Sequence, residues 1–235
     1  MLTQKTIKQI NSLNQKKFRQ QAGLFIVEGV KGVGEAMNSS ARVELVVIED
    51  SKRQQKDFIE LARLADQKKI NLEYCAPSAI KKIKSTETFP GILAVIKQPE
   101  VYVEDLFETN NIICLDKISD PGNLGTIIRT ADWFGLKNII LSENCVELYN
   151  PKVVRATMGS IFHVNIFQSN NLADDLLVFK KEKNYFLSGL VLDGVNLEKM
   201  SNGNKTIYIL GSESHGIRPE IERILDKKYT ILGKG

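Results

Sequence analysis

Apolar positions along this chain follow two alternating rhythms: short continuous runs that suit buried strands, and three-to-four-residue spacings that suit amphipathic helices. The chain opens on an amphipathic stretch (Ile7, Ile10, Leu13), followed by a strand Leu24 to Glu28, a helix after Gly29 and a strand Glu44 to Ile48. A helix Asp57 to Ala65, a strand Asn71 to Cys75, a short helix begun by Pro77-Ser78 and a strand Gly91 to Ile96 complete a small α/β pattern. Lys97-Gln98-Pro99-Glu100 marks a boundary, because Pro99 stops the strand and the next residues turn polar.

Beyond it come a strand Ile112 to Leu115, a polar loop, and a helix with Leu124, Ile127, Ile128, Ala131 and Phe134 on one stripe. A strand Asn138 to Leu141 and an irregular stretch through Asn150-Pro151 follow, then a helix Lys152 to Met158 and a strand Ile161 to Ile166. The pattern closes with a helix Asn171 to Lys181, strands Phe186 to Leu192 and Thr206 to Leu210, a helix Pro219 to Leu225 and a strand Tyr229 to Leu232. Strands alternating with helices predict an α/β fold with a mostly parallel sheet. There is no internal repeat.

The 235 residues suffice for one large or two modest domains, and 43% hydrophobic with 26% charged residues is the balance of an ordinary globular chain. Charge divides unevenly: residues 1–100 carry 17 Lys+Arg against 11 Asp+Glu, and residues 101–235 carry 15 against 17. A basic module before a near-neutral one suits one half gripping a polyanion and the other doing chemistry, although a Lys-rich solvated surface would give the same counts. Cys75, Cys114 and Cys145 are odd in number and lie in apolar contexts, so they read as reduced core thiols of a cytoplasmic protein. With two histidines and no C-x-x-C pair, no metal is expected. No apolar run approaches the roughly 18 residues of a membrane span, so no membrane partner is expected either.

Three polar clusters sit at strand ends. In the first, Leu115 to Ala131, a loop broken by Pro121-Gly122 leads into a helix on which Arg129 lies nearly opposite the apolar stripe. Turn formation accounts for Pro121, Gly122 and Gly125, and Asn123 suits a helix cap, but the core does not claim Arg129. Trp133, one turn on, offers a cation–π partner; a second subunit or a substrate would also cover that face. The second cluster, Asn150 to Ser160, holds Arg155, either a phosphate ligand or a helix-terminal surface charge. The third, Ile207 to Ile217, runs an apolar strand into the loop Gly211-Ser212-Glu213-Ser214-His215-Gly216. Glu213 could serve a helix start, and a lone loop histidine such as His215 is more often not a general base. Two such loops in one sheet face a common crevice.

Lys16-Lys17-Phe18-Arg19 sets an aromatic among three cations, as phosphate contacts and base stacking require, or as any solvated surface allows. Gly29-Val30-Lys31-Gly32-Val33-Gly34 has the spacing G-x-x-G-x-G rather than a dinucleotide fingerprint, so a tight strand-to-helix turn explains it better than a nicotinamide cofactor does.

In this order the three clusters resemble the motifs of the SpoU/TrmH family of RNA ribose 2′-O-methyltransferases, within the SPOUT superfamily. N-x-G-x-I-x-R-T-A is matched by Asn123, Gly125, Ile127, Arg129, Thr130 and Ala131, R-A-[ST]-x-G by Arg155, Ala156, Thr157 and Gly159, and G-x-E-x-x-G by Gly211, Glu213 and Gly216. The resemblance runs from about residue 105 to the end. Phe25-x-Val27-Glu28-Gly29 and Gly91 to Val95 also look like the small ribosomal-protein-like domain that many members place first to hold RNA.

The resemblance implies a small α/β RNA-binding domain over 1–98 and a Rossmann-like SPOUT domain over 105–235 with a C-terminal trefoil knot. It implies S-adenosyl-L-methionine as cofactor, RNA (ribosomal or transfer) as substrate, and a homodimer. Arg129, Asn123 and Glu213 become the catalytic set, with Leu210, Gly211 and Ile231 holding the cofactor. Lys16, Lys17, Arg19 and Arg155 become the RNA contacts. After Ile231 the family continues with a Pro and a Ser-Leu-Asn segment opening a final helix, whereas this chain reads Ile231-Leu232-Gly233-Lys234-Gly235. That departure implies either a truncated chain whose knot is incomplete or a cofactor-deficient relative, and the rival expectation is a non-catalytic RNA-binding protein.

Overall fold

The computed structural model describes residues 2–83, 89–200 and 205–233; Lys234 and Gly235 lie outside them. In chain order the first elements are α1 (Gln4–Ser12), α2 (Lys16–Ala22), β1 (Leu24–Glu28), α3 (Val30–Asn38), β2 (Val43–Glu49), α4 (Lys56–Gln67), β3 (Leu72–Cys75), α5 (Pro77–Ile83) and β4 (Ile92–Lys97). There follow β5 (Asn111–Leu115), α6 (Pro121–Trp133), β6 (Asn138–Leu141), α7 (Pro151–Ala156), β7 (Asn165–Gln168), α8 (Leu172–Glu182), β8 (Phe186–Asn196), β9 (Thr206–Leu210), α9 (Pro219–Glu222) and β10 (Lys227–Thr230). The chain forms two compact units, Met1–Pro99 with Glu147–His163, and Glu100–Val146 with Val164–Gly235.

The first unit is a four-stranded sheet in the order β1-β4-β2-β3, with β4 antiparallel to both neighbours and β3 parallel to β2. Alternation along the strands gives it two buried faces. Leu45, Val47, Leu93 and Val95 pack with Ile7, Ile10, Ile80 and Ile83 of α1 and α5; the intervening Val46, Ile48, Ile92 and Ala94 are buried on the other face, where α3 and α4 lie. Burial of each such aliphatic side chain contributes roughly 1.5–3 kcal/mol. Gly32 lies inside α3, and a Cβ there would sit 2.7 Å from Val27 Cγ1. The glycine cluster thus serves close helix–strand packing.

The second unit is a six-stranded sheet in the order β10-β8-β9-β5-β6-β7, parallel throughout. One face buries Ile112, Cys114, Ile140, Leu187, Ile207 and Ile209 under Leu172, Leu176 and Phe179 of α8 and Ile221 of α9, while Leu124, Ile128 and Ala131 of α6 are buried as well. From β5 the chain first runs outward through β6 and β7, then returns to build the other side. The crevice of a parallel sheet lies at such a reversal, between the carboxyl ends of β5 and β9.

Several expectations change. α2 is a helix where only a cation cluster was legible; Gly23 ends it at φ 62°, a left-handed cap. The strand expected over Ile161 to Ile166 starts only at Asn165, whose amide donates to Lys137 O at 2.7 Å; Ser160–Phe162 is a 3₁₀ turn. Phe134, placed on the apolar stripe by periodicity, is 73% exposed because α6 ends at that residue.

Candidate active site

Asp120 caps α6, its Oδ1 accepting from the Asn123 backbone N–H at 2.7 Å, and Pro121 occupies the first turn, where a missing N–H costs nothing. The cap is therefore Asp120, and the Asn123 side chain is left for another partner. Asn123 Nδ2 donates to Glu213 Oε1, joining the loop after β5 to the loop after β9. On a helix turning about 100° per residue, the exposed positions Gly122, Asn123, Thr126, Arg129, Thr130, Trp133 and Phe134 share an arc of about 140°. Arg129 lies at one end of that arc and Asn123 about 120° round from it. Arg129 has no ion pair, hydrogen bond or cation–π contact of its side chain among the described residues, so the alternative of a cation–π contact with Trp133 is not realised there.

Glu213 is presented by a tightly closed loop. Ser212 N–H donates to Gly216 O at 3.0 Å and Gly216 N–H to Ser212 O at 2.9 Å. A Cβ on Gly211 would fall 2.0 Å from Gly216 C and 2.2 Å from Ile217 N, and Gly216 turns at φ 65°, so both positions require glycine. His215 is exposed, its Nδ1 2.7 Å from Ser214 Oγ.

Beneath these loops lies a charged network that sequence spacing had not revealed. Asp116, fully buried after β5, accepts from Arg218 Nε at 2.7 Å and from the Arg218 backbone N–H at 2.9 Å. Arg218 Nη1 also donates to Glu143 Oε1 at 2.5 Å. Burial alone would weaken the Arg218 charge, but the Glu143 hydrogen bond and the Asp116 charge outweigh it and hold the guanidinium above its ordinary range. The only advance signal was an aspartate closing an apolar strand; its partner lies 102 residues away.

The carboxyl ends of β8, β9 and β10 form an apolar border. Leu190 pairs with Leu210 in the β8–β9 ladder, and Thr230 Oγ1 donates to Leu192 O at 3.2 Å, bringing β10 to β8. Leu192 is 99% exposed and Ile231 73%. Leu210 and Gly211 are half-buried beside them. Leu192 was not among the expected site residues.

The expected RNA contacts divide. Lys16 and Lys17 are exposed in the first turn of α2. Arg19 is a correction: only 3% exposed, it makes a two-pronged ion pair with Glu147 and donates through Nη1 to Leu13 O at 2.8 Å. Its charge is spent inside the fold. Arg155 stands in α7, in the first unit, bordering a cavity of about 390 Å³ with Lys31 and Met158. The three thiols are unpaired; burial pushes Cys114 well above the usual range and Cys75 up to about 11, so neither is a nucleophile. Among the described residues no group of His, Cys, Asp or Glu could hold a metal, and no helix is long and apolar enough to cross a membrane.

Comparison with known proteins places this geometry in context. The SpoU rRNA Methylase family model matches residues 110–235, and the MRM3-like substrate binding domain model matches residues 4–94. A 23S rRNA (guanosine(2553)-2'-O)-methyltransferase of Bacillus subtilis (strain 168) is 29% identical over 214 residues, covering 90% of this chain and 80% of that protein. A TrmH-family protein of Porphyromonas gingivalis superposes with a TM-score of 0.84 at 30% identity over 100% of this chain and 90% of that one. An AdoMet-bound rRNA methyltransferase of Sinorhizobium meliloti gives 0.86 at 26% identity over 100% and 88%. With its first and third motifs joined through Asn123 and Glu213 at the switch of a parallel sheet, the chain belongs to the SpoU rRNA methylase family.

Proposed function

We propose that this chain is an S-adenosylmethionine-dependent RNA ribose 2′-O-methyltransferase acting on ribosomal or transfer RNA. The observation that carries the reading is the Asn123–Glu213 hydrogen bond, which ties two family motifs into one polar wall, with Arg129 exposed on the same helix. Residues 1–98 are assigned to holding RNA and 105–235 to chemistry, in keeping with the two family models.

The residues present fit the cofactor. Leu192 and Ile231 offer uncovered apolar surface for a purine or a methylene chain, and the glycine-closed loop at Gly211 keeps backbone close to that border. Leu210, Gly211 and Ile231 would hold it, with Leu192 added. The chemistry such a cofactor supplies is a methyl group on a sulfonium sulfur, open to displacement by a ribose hydroxyl.

The chain's own contribution is positioning and charge. A guanidinium offers a planar fork of donors and a fixed positive charge, so the part of Arg129 is to grip the phosphate beside the target ribose and to favour the alkoxide that develops on the hydroxyl. Asn123, oriented by Glu213, lines the substrate side. Arg155 joins Lys16 and Lys17 as an RNA contact. The reading also takes the chain as a cytoplasmic homodimer with a trefoil knot; exposed Trp133 and Phe134 at the end of α6 support a partner surface, and family membership supports the knot.

Calorimetric titration with S-adenosylmethionine should give saturable binding, and mapping of 2′-O-methyl marks with and without the gene should reveal a missing mark. Arg129→Lys should retain cofactor binding and lose methyl transfer by about 100-fold or more. Unchanged maps, or near-full activity in Arg129→Lys, would sink the assignment or the role respectively.

A further inference from the structure

The two helical layers of the first unit differ sharply in charge. The layer built from α1 and α5, with α2 following α1, carries Lys5, Lys8, Lys16, Lys17, Lys81 and Lys82, all exposed, and no aspartate or glutamate. The layer on the opposite face, α3 and α4 with α7, is mixed: Lys31, Lys56, Arg63, Lys152 and Arg155 stand against Glu35, Asp57, Glu60 and Asp66. Lysines of one sign on adjacent helices repel one another, and without a polyanion their arrangement contributes nothing to folding.

A second feature lies on the same side. A recess of about 480 Å³ is bordered by Thr6 and Gln9 of α1, by Asn71, Glu73 and Lys97, and by Arg42, which is paired with Glu44 at 2.6 Å. Phe18, between the lysines of α2 and the buried Arg19, is 37% exposed. Amides, a hydroxyl and an aromatic edge beside a row of cations are the groups that meet sugars and bases next to a phosphate track. A lipid surface fits less well, because a membrane-lying helix needs a free apolar face, and Ile7, Ile10, Ile80 and Ile83 are committed to the core.

We propose that the α1–α2–α5 face is the surface along which substrate RNA lies, its phosphates held by the six lysines, and that α4 stands away from the RNA. The inference rests on the reading of RNA as substrate and adds the face, its residues and its electrostatic mode.

The test uses the full chain and deproteinised ribosomal RNA, with affinity measured across a salt series. Six phosphate contacts account for a log–log salt slope of about 4 to 5. The variant carrying Lys→Gln at 5, 8, 16, 17, 81 and 82 should bind at least 100-fold more weakly at 0.1 M salt, with a slope shallower by about 3 or more, and should keep the wild-type circular-dichroism melt. Lys56→Gln/Arg63→Gln should change affinity less than twofold. The face is overturned if the six-fold variant keeps the wild-type slope, or if the α4 double variant weakens binding as much. It is equally overturned if the six substitutions abolish binding to phosphatidylserine vesicles and leave RNA binding intact. A wild-type chain that binds no ribosomal RNA and transfers no methyl group overturns the substrate reading itself, and the face with it.

Discussion

Arg129 and Arg19 carry the same group to opposite ends. Arg129 falls on the exposed arc of a thirteen-residue helix whose apolar stripe was plain in the sequence, so its freedom was legible from spacing. Arg19 sits in a seven-residue helix with too few apolar positions to show a face, and its pairing with Glu147 crosses 128 positions. Glu143 is the other residue whose state depends on such distance. Burial alone would raise its pKa, but the Arg218 hydrogen bond overrides burial and holds the carboxylate below its usual value of 4.5. A lowered carboxylate pKa stabilises the fold above the unfolded value and loses that contribution as pH falls through the folded one. Glu143→Gln should therefore cost on the order of 1 kcal/mol at pH 7, and the difference from wild type should shrink below pH 4.5. Urea unfolding at pH 7 and pH 3.5 checks this; an equal difference at both would show that the pair contributes nothing.

At the scale of elements, the long helices and every expected strand but the one at Ile161 were located from the sequence because each has a period of its own. The loops were read as ligand-bearing but not as coupled, since Asp116, Glu143 and Arg218 meet only once the sheet has formed. Ile161 was misread as strand because an apolar residue in a short run shows burial and not the partner that buries it. Gly211 shows the limit from the other side: the motif marked it, and the geometry supplies the reason. Gly211→Ala would force a methyl group into the Gly216 carbonyl and open the loop that presents Glu213. We expect at least tenfold weaker cofactor binding and a larger loss of methyl transfer, read by calorimetry and single-turnover kinetics. Wild-type affinity in that variant would show that the loop's closure is irrelevant to the site.

At the scale of the whole molecule, the chain makes two units that each own a sheet and a core, and residues 147–163 belong to the first although they lie far along the sequence. Glu147 helps to secure that segment, with the Phe25 and Tyr149 rings packed nearby at a tilt of 36°, 4.6 Å between centroids. Arg19→Ala would leave Glu147 with its charge unmatched in a largely buried place, so a loss of about 3–5 kcal/mol is expected in urea denaturation. The pair Arg19→Met/Glu147→Leu should recover much of it; a mild single variant would show the ion pair to be dispensable. The second unit has one irregular margin. β10 pairs with Ser188 and Gly189 of β8, then skips to Val195 and Asn196, and its backbone at Tyr229 fills the space a side chain on Gly194 would need. A four-residue strand bonded on one side, across an interrupted ladder, opens at lower free energy than the strands inside the sheet. Ile231 follows directly on it, so any ligand resting there binds only the closed margin. Its apparent affinity is set partly by how often that margin frays, and its binding should slow amide exchange in β10 while leaving β5 unchanged.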